Sequence, residues 1–211
     1  MYSIGSDLHK ETAWYCVFDA QGHRVSHGSL PADPESFKKY FEGVPRPFKM
    51  AVEATYNWYY VIDIAEEYAA EVYLADSYQV KAFAKKHKKT DKIDARLIAW
   101  LLHRGDLPTV AIPDKETRKN REMLRYRMRL VSDRTRNIVR LKAMLDRIGF
   151  KGAGNLATAK RRKEIGSTEI SEPYGRIARG YLARIAQLSE ELKICGSDRK
   201  VLAGREQAVM H

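Results

Sequence analysis

Alternation of apolar and polar positions divides the chain into a strand-rich first part and a helical second part. YSIGSDLH and TAWYCVFD, residues 2–9 and 12–19, are apolar-rich runs of strand length, separated by Lys10 and Glu11. A turn at Asp19-Ala20-Gln21-Gly22 leads into a third run, HRVSHGSL. Pro31 and Asp33 then open a helix with Phe37, Tyr40 and Phe41 at i, i+3 and i+4, and Pro45 and Pro47 end it. FKMAVEA predicts a fourth strand, NWYYVIDIAEEYA a second helix, EVYLAD a fifth strand and SYQVKAFAKK a third helix. Three antiparallel strands followed by strand–helix–strand–helix is an α/β order in which the later strands run parallel.

Beyond Lys88 and Lys89 the pattern is helical. TDKIDARLIAWLLHRG has an N-cap residue in Thr90 and a stop in Gly105. DLPTVAIP, with two prolines, reads as a linker. From Asp114 to about Ile148 there is neither Pro nor Gly, which permits one long helix. Leu124, Val131, Ile138 and Leu145 recur every seven residues along it. At the companion positions Arg127 and Arg134 give way to Leu141 and Ile148, so the seam predicts a partly buried coiled-coil arm. A second amphipathic helix follows Pro173, with Tyr181, Leu188 and Cys195 in one column and Ile185 and Leu192 in another. Residues 149–172 read as a connector, and a helical hairpin or dimerising arm is the natural packing. The expected division is residues 1–106 and 107–211.

Charge sharpens this division. Of the 211 residues, 38 are Lys or Arg and 27 Asp or Glu, a net charge of +11. Residues 1–84 hold 7 basic and 12 acidic residues, residues 85–163 hold 24 and 8, and residues 164–211 hold 7 of each. All of the excess positive charge thus lies in the middle segment, as a phosphate-backbone partner requires; a solvated basic surface or an anionic membrane are the alternatives. No run approaches the ~20 apolar residues of a membrane span, and the N-terminus is not a signal peptide. Cys16 and Cys195 form no CxxC spacing. The expectation is a cytoplasmic protein with two reduced thiols and no membrane partner.

Four carboxylates fall where a predicted strand ends or a helix begins. Asp7 lies on the first strand and Glu53 closes the fourth, whereas Asp91 and Asp94 share one helix face at i, i+3. Such a set suits Mg²⁺, or Mn²⁺, which takes hard oxygen ligands; two ions about 3.5–4 Å apart can clamp both oxygens of a phosphoryl displacement. Asp91 and Asp94 also fit simple first-turn helix acids, and Glu53 fits a strand-end surface acid. Asp7 is costly to bury without a partner. Lys88, Lys89 and Lys92 fit a phosphate-facing rim or a solvated charge run.

GSDLHK, VEAT and KKTDKIDARLIA, in this order and spacing, resemble the DEDD transposases of bridge-RNA-guided insertion sequences and the related pilin-gene DNA invertases. That resemblance implies an RNase H-like, RuvC-like mixed sheet with helices, followed by a long coiled-coil hairpin. It also implies a tetrad of Asp7, Glu53, Asp91 and Asp94 that binds divalent metal and is catalytic, with DNA and a guide RNA as partners. Ser6 stands where an aliphatic residue usually precedes the first Asp, and Tyr56 where the family usually has Gly. Family members continue into a second domain carrying a nucleophilic serine, and no matching segment occurs here. The expectation is therefore the N-terminal half of a transposase, unable to complete recombination alone. A non-catalytic nucleic-acid-binding and dimerisation module, or a stand-alone resolvase-like nuclease, are the competing readings.

Backbone contacts are expected from Arg118, Lys119, Arg121, Arg125, Arg129, Arg136 and Arg140 along the long helix. Tyr59 and Tyr60 suit either base stacking or, by their helical spacing, the core, and the spacing favours the core. Lys160-Arg161-Arg162-Lys163 fits a segment that orders on RNA or a solvated loop.

Overall fold

The computed structural model describes the backbone of residues 1–84, 91–151 and 154–209, and side chains of residues 1–83, 95–151 and 154–196. It contains two compact units, Met1–Ile112 and Pro113–His211. In chain order the first unit holds β1 (Tyr2–Leu8), β2 (Thr12–Phe18), β3 (Arg24–Pro31), α1 (Pro34–Glu42), β4 (Phe48–Glu53), α2 (Tyr59–Tyr68), β5 (Glu71–Ala75), α3 (Ser77–Ala84), α4 (Asp91–Arg104) and β6 (Thr109–Val110). Its six strands form one mixed sheet in the order β3-β2-β1-β4-β5-β6. β1, β2 and β3 are antiparallel, β4 and β5 run parallel to β1, and β6 returns antiparallel to β5. This architecture is compatible with an RNase H-like fold.

β6 corrects the reading of DLPTVAIP as a linker. Two of its residues pair with β5, Val110 opposite Leu74 and Thr109 opposite Ala75, a tertiary contact that local sequence does not announce. β6 lies inside the first compact unit, Met1–Ile112.

Strand alternation assigns the two faces. Ile4 and Leu8 of β1, with Phe48, Met50 and Val52 of β4, enter the main core with Phe37 and Phe41 of α1 and Val61, Ile62 and Ala65 of α2. Phe41 lies 5.9 Å from the ring of Phe48 and 5.8 Å from that of Phe37, so this aromatic layer anchors α1 to the sheet; each buried Phe contributes about 1.5–3 kcal/mol. The alternate residues, Gly5 of β1 and Ala51 of β4, face α3 and α4, where Ala51, Ala75, Val80, Ile98 and Leu102 pack. Ser6 belongs to the main-core side by the same alternation. It is 1% exposed, and its hydroxyl makes no hydrogen bond among the described residues.

Capping explains where the helices start. Asp33 accepts the Ser36 N–H at 2.9 Å ahead of Pro34 in α1, and Asp114 accepts the Thr117 N–H at 2.7 Å. Gly105, at φ +77°, ends α4 in the left-handed conformation that glycine tolerates.

The second unit consists of α5 (Lys115–Arg147), α6 (Ala159–Ser167) and α7 (Tyr174–Val209). Leu141, Met144 and Leu145 of α5 pack with Ala178, Leu182 and Ile185 of α7, whereas Tyr126 donates to Glu191 at 3.1 Å. Early α5 thus meets late α7, and the two helices are antiparallel. Ile165 of α6 and Leu156 close the core at the α5–α7 turn end. Along the heptad column burial rises from Leu124, 49% exposed, to Leu145, fully buried. α6 lies inside the stretch read as a connector; Thr158 caps it, but Ile165 is its one buried residue, too few for an amphipathic signal. No helix among the described residues is long and apolar enough to cross a membrane.

Candidate metal centre

Asp7 and Glu53 come together through strand pairing. β1 and β4 are adjacent and parallel, with Ser6 opposite Val52, so Asp7 and Glu53 are each the next residue on neighbouring strands. Both follow the alternation of Gly5 and Ala51 and face the α4 side. They are nearly sequestered from water, Asp7 at 4% and Glu53 at 9% exposure. Two carboxylates buried side by side repel each other and lose hydration, so the arrangement calls for positive charge or donors. His9 supplies one partner, its Nε2 lying 3.2 Å from Asp7 Oδ2, and Lys81 Nζ stands 3.9 Å from Glu53 Oε1.

The loops beyond these strand ends are tied together. Thr55 N–H donates to the Glu53 carbonyl at 2.8 Å and Ala54 N–H to the Ala75 carbonyl at 3.0 Å. Asn57 Nδ2 donates to the His9 carbonyl at 2.9 Å, and Ser77 Oγ to the Ala54 carbonyl at 3.1 Å. The turn after β1, the loop after β4 and the start of α3 therefore form one hydrogen-bonded rim. In open α/β sheets this carboxyl end of the strands is the usual place for a ligand.

α4 crosses the sheet at Gly5. A Cβ built there would lie 2.2 Å from Ala99 N and 2.5 Å from Ala95 O, so only glycine allows the helix to come this close. Farther along α4, Trp100 and His103 pack on Phe18, with ring centroids 5.5 and 6.3 Å away, and Phe18 pairs with Ser3 at the beginning of β1. The helix consequently runs antiparallel to β1, and its N-terminal turn points toward the end of the strand that carries Asp7. Asp91 precedes Ala95 by four residues, about 6 Å of helix. Asp7 follows Gly5 by two residues, about 7 Å of strand. The backbone of the Asp91–Asp94 turn is thus carried to the level of Asp7 and Glu53. The side chains of Asp91, Lys92 and Asp94 lie outside the described residues, as do Lys88 and Lys89 altogether. Among the described residues no group of three or more His, Cys, Asp or Glu is arranged to hold a metal ion.

On α5, Lys119, Arg121, Arg125, Arg129, Arg136 and Arg140 are exposed. At 3.6 residues per turn the five arginines fall within an arc of roughly 100°, away from the buried Leu130, Leu141 and Leu145 on the other side of the helix. Several are already paired along the helix: Lys119 with Glu116, Arg125 with Glu122, and Arg136 with Asp133. Arg118 differs from the others; it is 5% exposed and so not placed on that exposed stripe. The basic run Lys160–Lys163 forms the first turn of α6, where Arg162 donates to the carbonyls of Leu156 and Ala157.

Sequence reasoning passed over His9 and Lys81. His9 was findable, because strand alternation puts it on the same face as Asp7. Lys81 becomes a neighbour of Glu53 only through the packing of α3. Tyr59 and Tyr60 are half-buried and pack against the main core, with Tyr60 OH donating to the Ala32 carbonyl at 2.8 Å.

Residues 4–150 match the family model of DEDD transposases of the IS110 type, described as Transposase. The matched stretch includes both strand carboxylates, all of α4 and all of α5. No curated protein is found to match the chain.

Proposed function

Because the chain belongs to the IS110-type DEDD transposase family, we propose that its sheet unit is the metal-binding, strand-cutting half of a DNA recombinase. The observation that carries this reading is the buried pair Asp7 and Glu53 on adjacent strand ends, beneath the N-terminal turn of α4. Asp7, Glu53, Asp91 and Asp94 are the residues that would hold Mg²⁺ or Mn²⁺. The fit rests on donor chemistry: clustered carboxylates are hard oxygen ligands, and their mutual repulsion is relieved by a small divalent cation. When bound, such ions polarise the scissile phosphate and stabilise charge on the attacking and leaving oxygens.

The chain's own residues do the positioning. Strand pairing fixes the spacing of Asp7 and Glu53 without help from a loop. His9 orients the Asp7 carboxylate, and Lys81 offsets the charge of Glu53. α4 carries the second acidic pair as one rigid piece. The arginine stripe of α5 holds phosphate backbone, contributing affinity rather than sequence choice. A guide RNA that supplies the target sequence, and self-association through the helical unit, complete the proposal.

The test is nicking of supercoiled DNA in Mg²⁺ or Mn²⁺ by the wild type, Asp7→Asn and Glu53→Gln, beside calorimetric titration of each metal. Metal-dependent nicking and binding that both variants lose support the proposal. Folded variants that bind metal and nick as the wild type does refute it.

A further inference from the structure

Two tyrosines stand out on the rim beside the acidic pair. Tyr56 is 74% exposed in the loop after β4, and Tyr78 is 86% exposed at the start of α3. Each begins where a strand of the site ends: Tyr56 follows Glu53 by three residues, and Tyr78 follows Ala75, the residue paired with Glu53, by three. The Ser77–Ala54 hydrogen bond joins the two segments directly. On α3, Tyr78 and Lys81 are three residues apart and share a face; Lys81 reaches Glu53, so Tyr78 lies on the Glu53 side of its helix.

Packing does not account for these rings. A little farther along the chain Trp58 is taken into the core and Tyr59 and Tyr60 pack half-buried against it, whereas Tyr56 is left in water. Its loop is nonetheless braced, with Thr55 Oγ1 and Asn57 Oδ1 3.0 Å apart and Asn57 Nδ2 on the His9 carbonyl. The ring is therefore presented from an ordered backbone, which lowers the ordering cost of binding. The nearby exposed cations are Lys10 and Lys81, with the His9 imidazole beside them, a setting that suits an anionic strand with flat groups.

We infer that Tyr56 and Tyr78 form a stacking platform for unpaired bases of the DNA strand at the Asp7–Glu53 site, so that the protein engages DNA locally opened there in preference to intact duplex. Aromatic side chains stack on any base, but only on bases free of their neighbours. Placed beside the acidic pair, the rings would hold the nucleotides flanking the scissile phosphate splayed from the duplex. This inference rests on reading that pair as the cutting site.

The experiment measures DNA affinity in EDTA, where no cutting occurs. Two duplexes of one sequence are compared, one fully paired and one with a three-base unpaired bulge containing 2-aminopurine. Wild type should favour the bulged duplex and quench the 2-aminopurine. Tyr56→Ala and Tyr78→Ala should each weaken bulged-duplex binding roughly ten-fold and leave the paired duplex unchanged, while Tyr→Phe at either position restores the preference. Equal wild-type affinity for the two duplexes, or alanine variants that weaken both equally or neither, would overturn it. Asp7→Asn separates the two readings. If it abolishes nicking while the tyrosine variants bind as wild type, the platform fails and the metal centre stands. If it nicks normally while the tyrosine effects persist, the platform stands and the metal centre fails.

Discussion

Replacing Gly5 by alanine tests how the site is assembled. The added Cβ would lie 2.2 Å from Ala99 N, 2.5 Å from Ala95 O and 2.8 Å from Ala99 Cα. All three are backbone atoms of one helix, so no side chain can rotate away to relieve the clash. Ordinary contact needs about 3.4–4 Å between such atoms, so α4 has to retreat by about 1 Å. Overpacking of this kind costs about 1–3 kcal/mol, from which the stiffer unfolded chain of alanine returns about 0.4–1 kcal/mol. The expected net loss is about 1–2 kcal/mol. The functional loss should be larger, because the retreating helix carries the Asp91–Asp94 turn, and a 1 Å misplacement of reacting groups costs on the order of 100-fold in rate. Urea unfolding followed by circular dichroism reads the first quantity and metal-dependent nicking of folded protein the second. Gly180→Ala is the control: Gly180 sits in α7 with nothing within 4 Å of an added Cβ, so alanine there should stabilise by up to about 1 kcal/mol. If Gly5→Ala is as stable as the wild type, the close crossing of α4 is wrong. A destabilised Gly5→Ala that nicks normally would refute the role of α4 in the site.

Ser6→Ala removes a buried hydroxyl that makes no hydrogen bond among the described residues and should raise stability by about 1 kcal/mol in urea unfolding; a loss of stability would reveal a partner for it. Mg²⁺ or Mn²⁺ should raise the melting temperature of the wild type, by the equivalent of about 2.7 kcal/mol at one hundred times Kd, and EDTA should reverse the gain; Asp7→Asn should show neither effect. The capping carboxyls of Asp33 and Asp114 are held below their usual range by the N–H groups of Ser36 and Thr117. Their contribution is complete above about pH 4 and is lost as pH falls through the lowered values. Melting temperature should therefore decline below about pH 4, and the decline should be shallower in Asp33→Asn/Asp114→Asn.

What was legible in the sequence followed from local rules. Alternation marked β1 to β5, and Asp33, Asp114 and Gly105 marked helix ends because each acts on its own backbone. Asp7 and Glu53 were legible as strand-end acids, and their adjacency followed once β4 paired parallel to β1. β6 escaped because two residues become a strand only when β5 is beside them, and α6 because one buried isoleucine leaves no period. Arg118 shows the limit of reading a helix by charge: it shares a spacing with exposed arginines yet is buried. The role of Gly5 was invisible for the same reason, since its constraint comes from a helix ninety residues later.

The ends of the sheet bear on how the protein behaves when concentrated. A strand edge with free N–H and C=O groups invites another chain to add to it. Here one edge is β6, only two residues long. The other is β3, largely exposed, begun by Arg24, ended by Pro31 and set against an irregularity between Val17 and Phe18 of β2. A short edge, a charged and proline-ended edge and a shifted register are each poor templates for fibrillar growth. The sheet unit is therefore protected against edge-to-edge aggregation, and replacing Pro31 or Arg24 by the strand-forming valine would be expected to lower its solubility before it altered its fold.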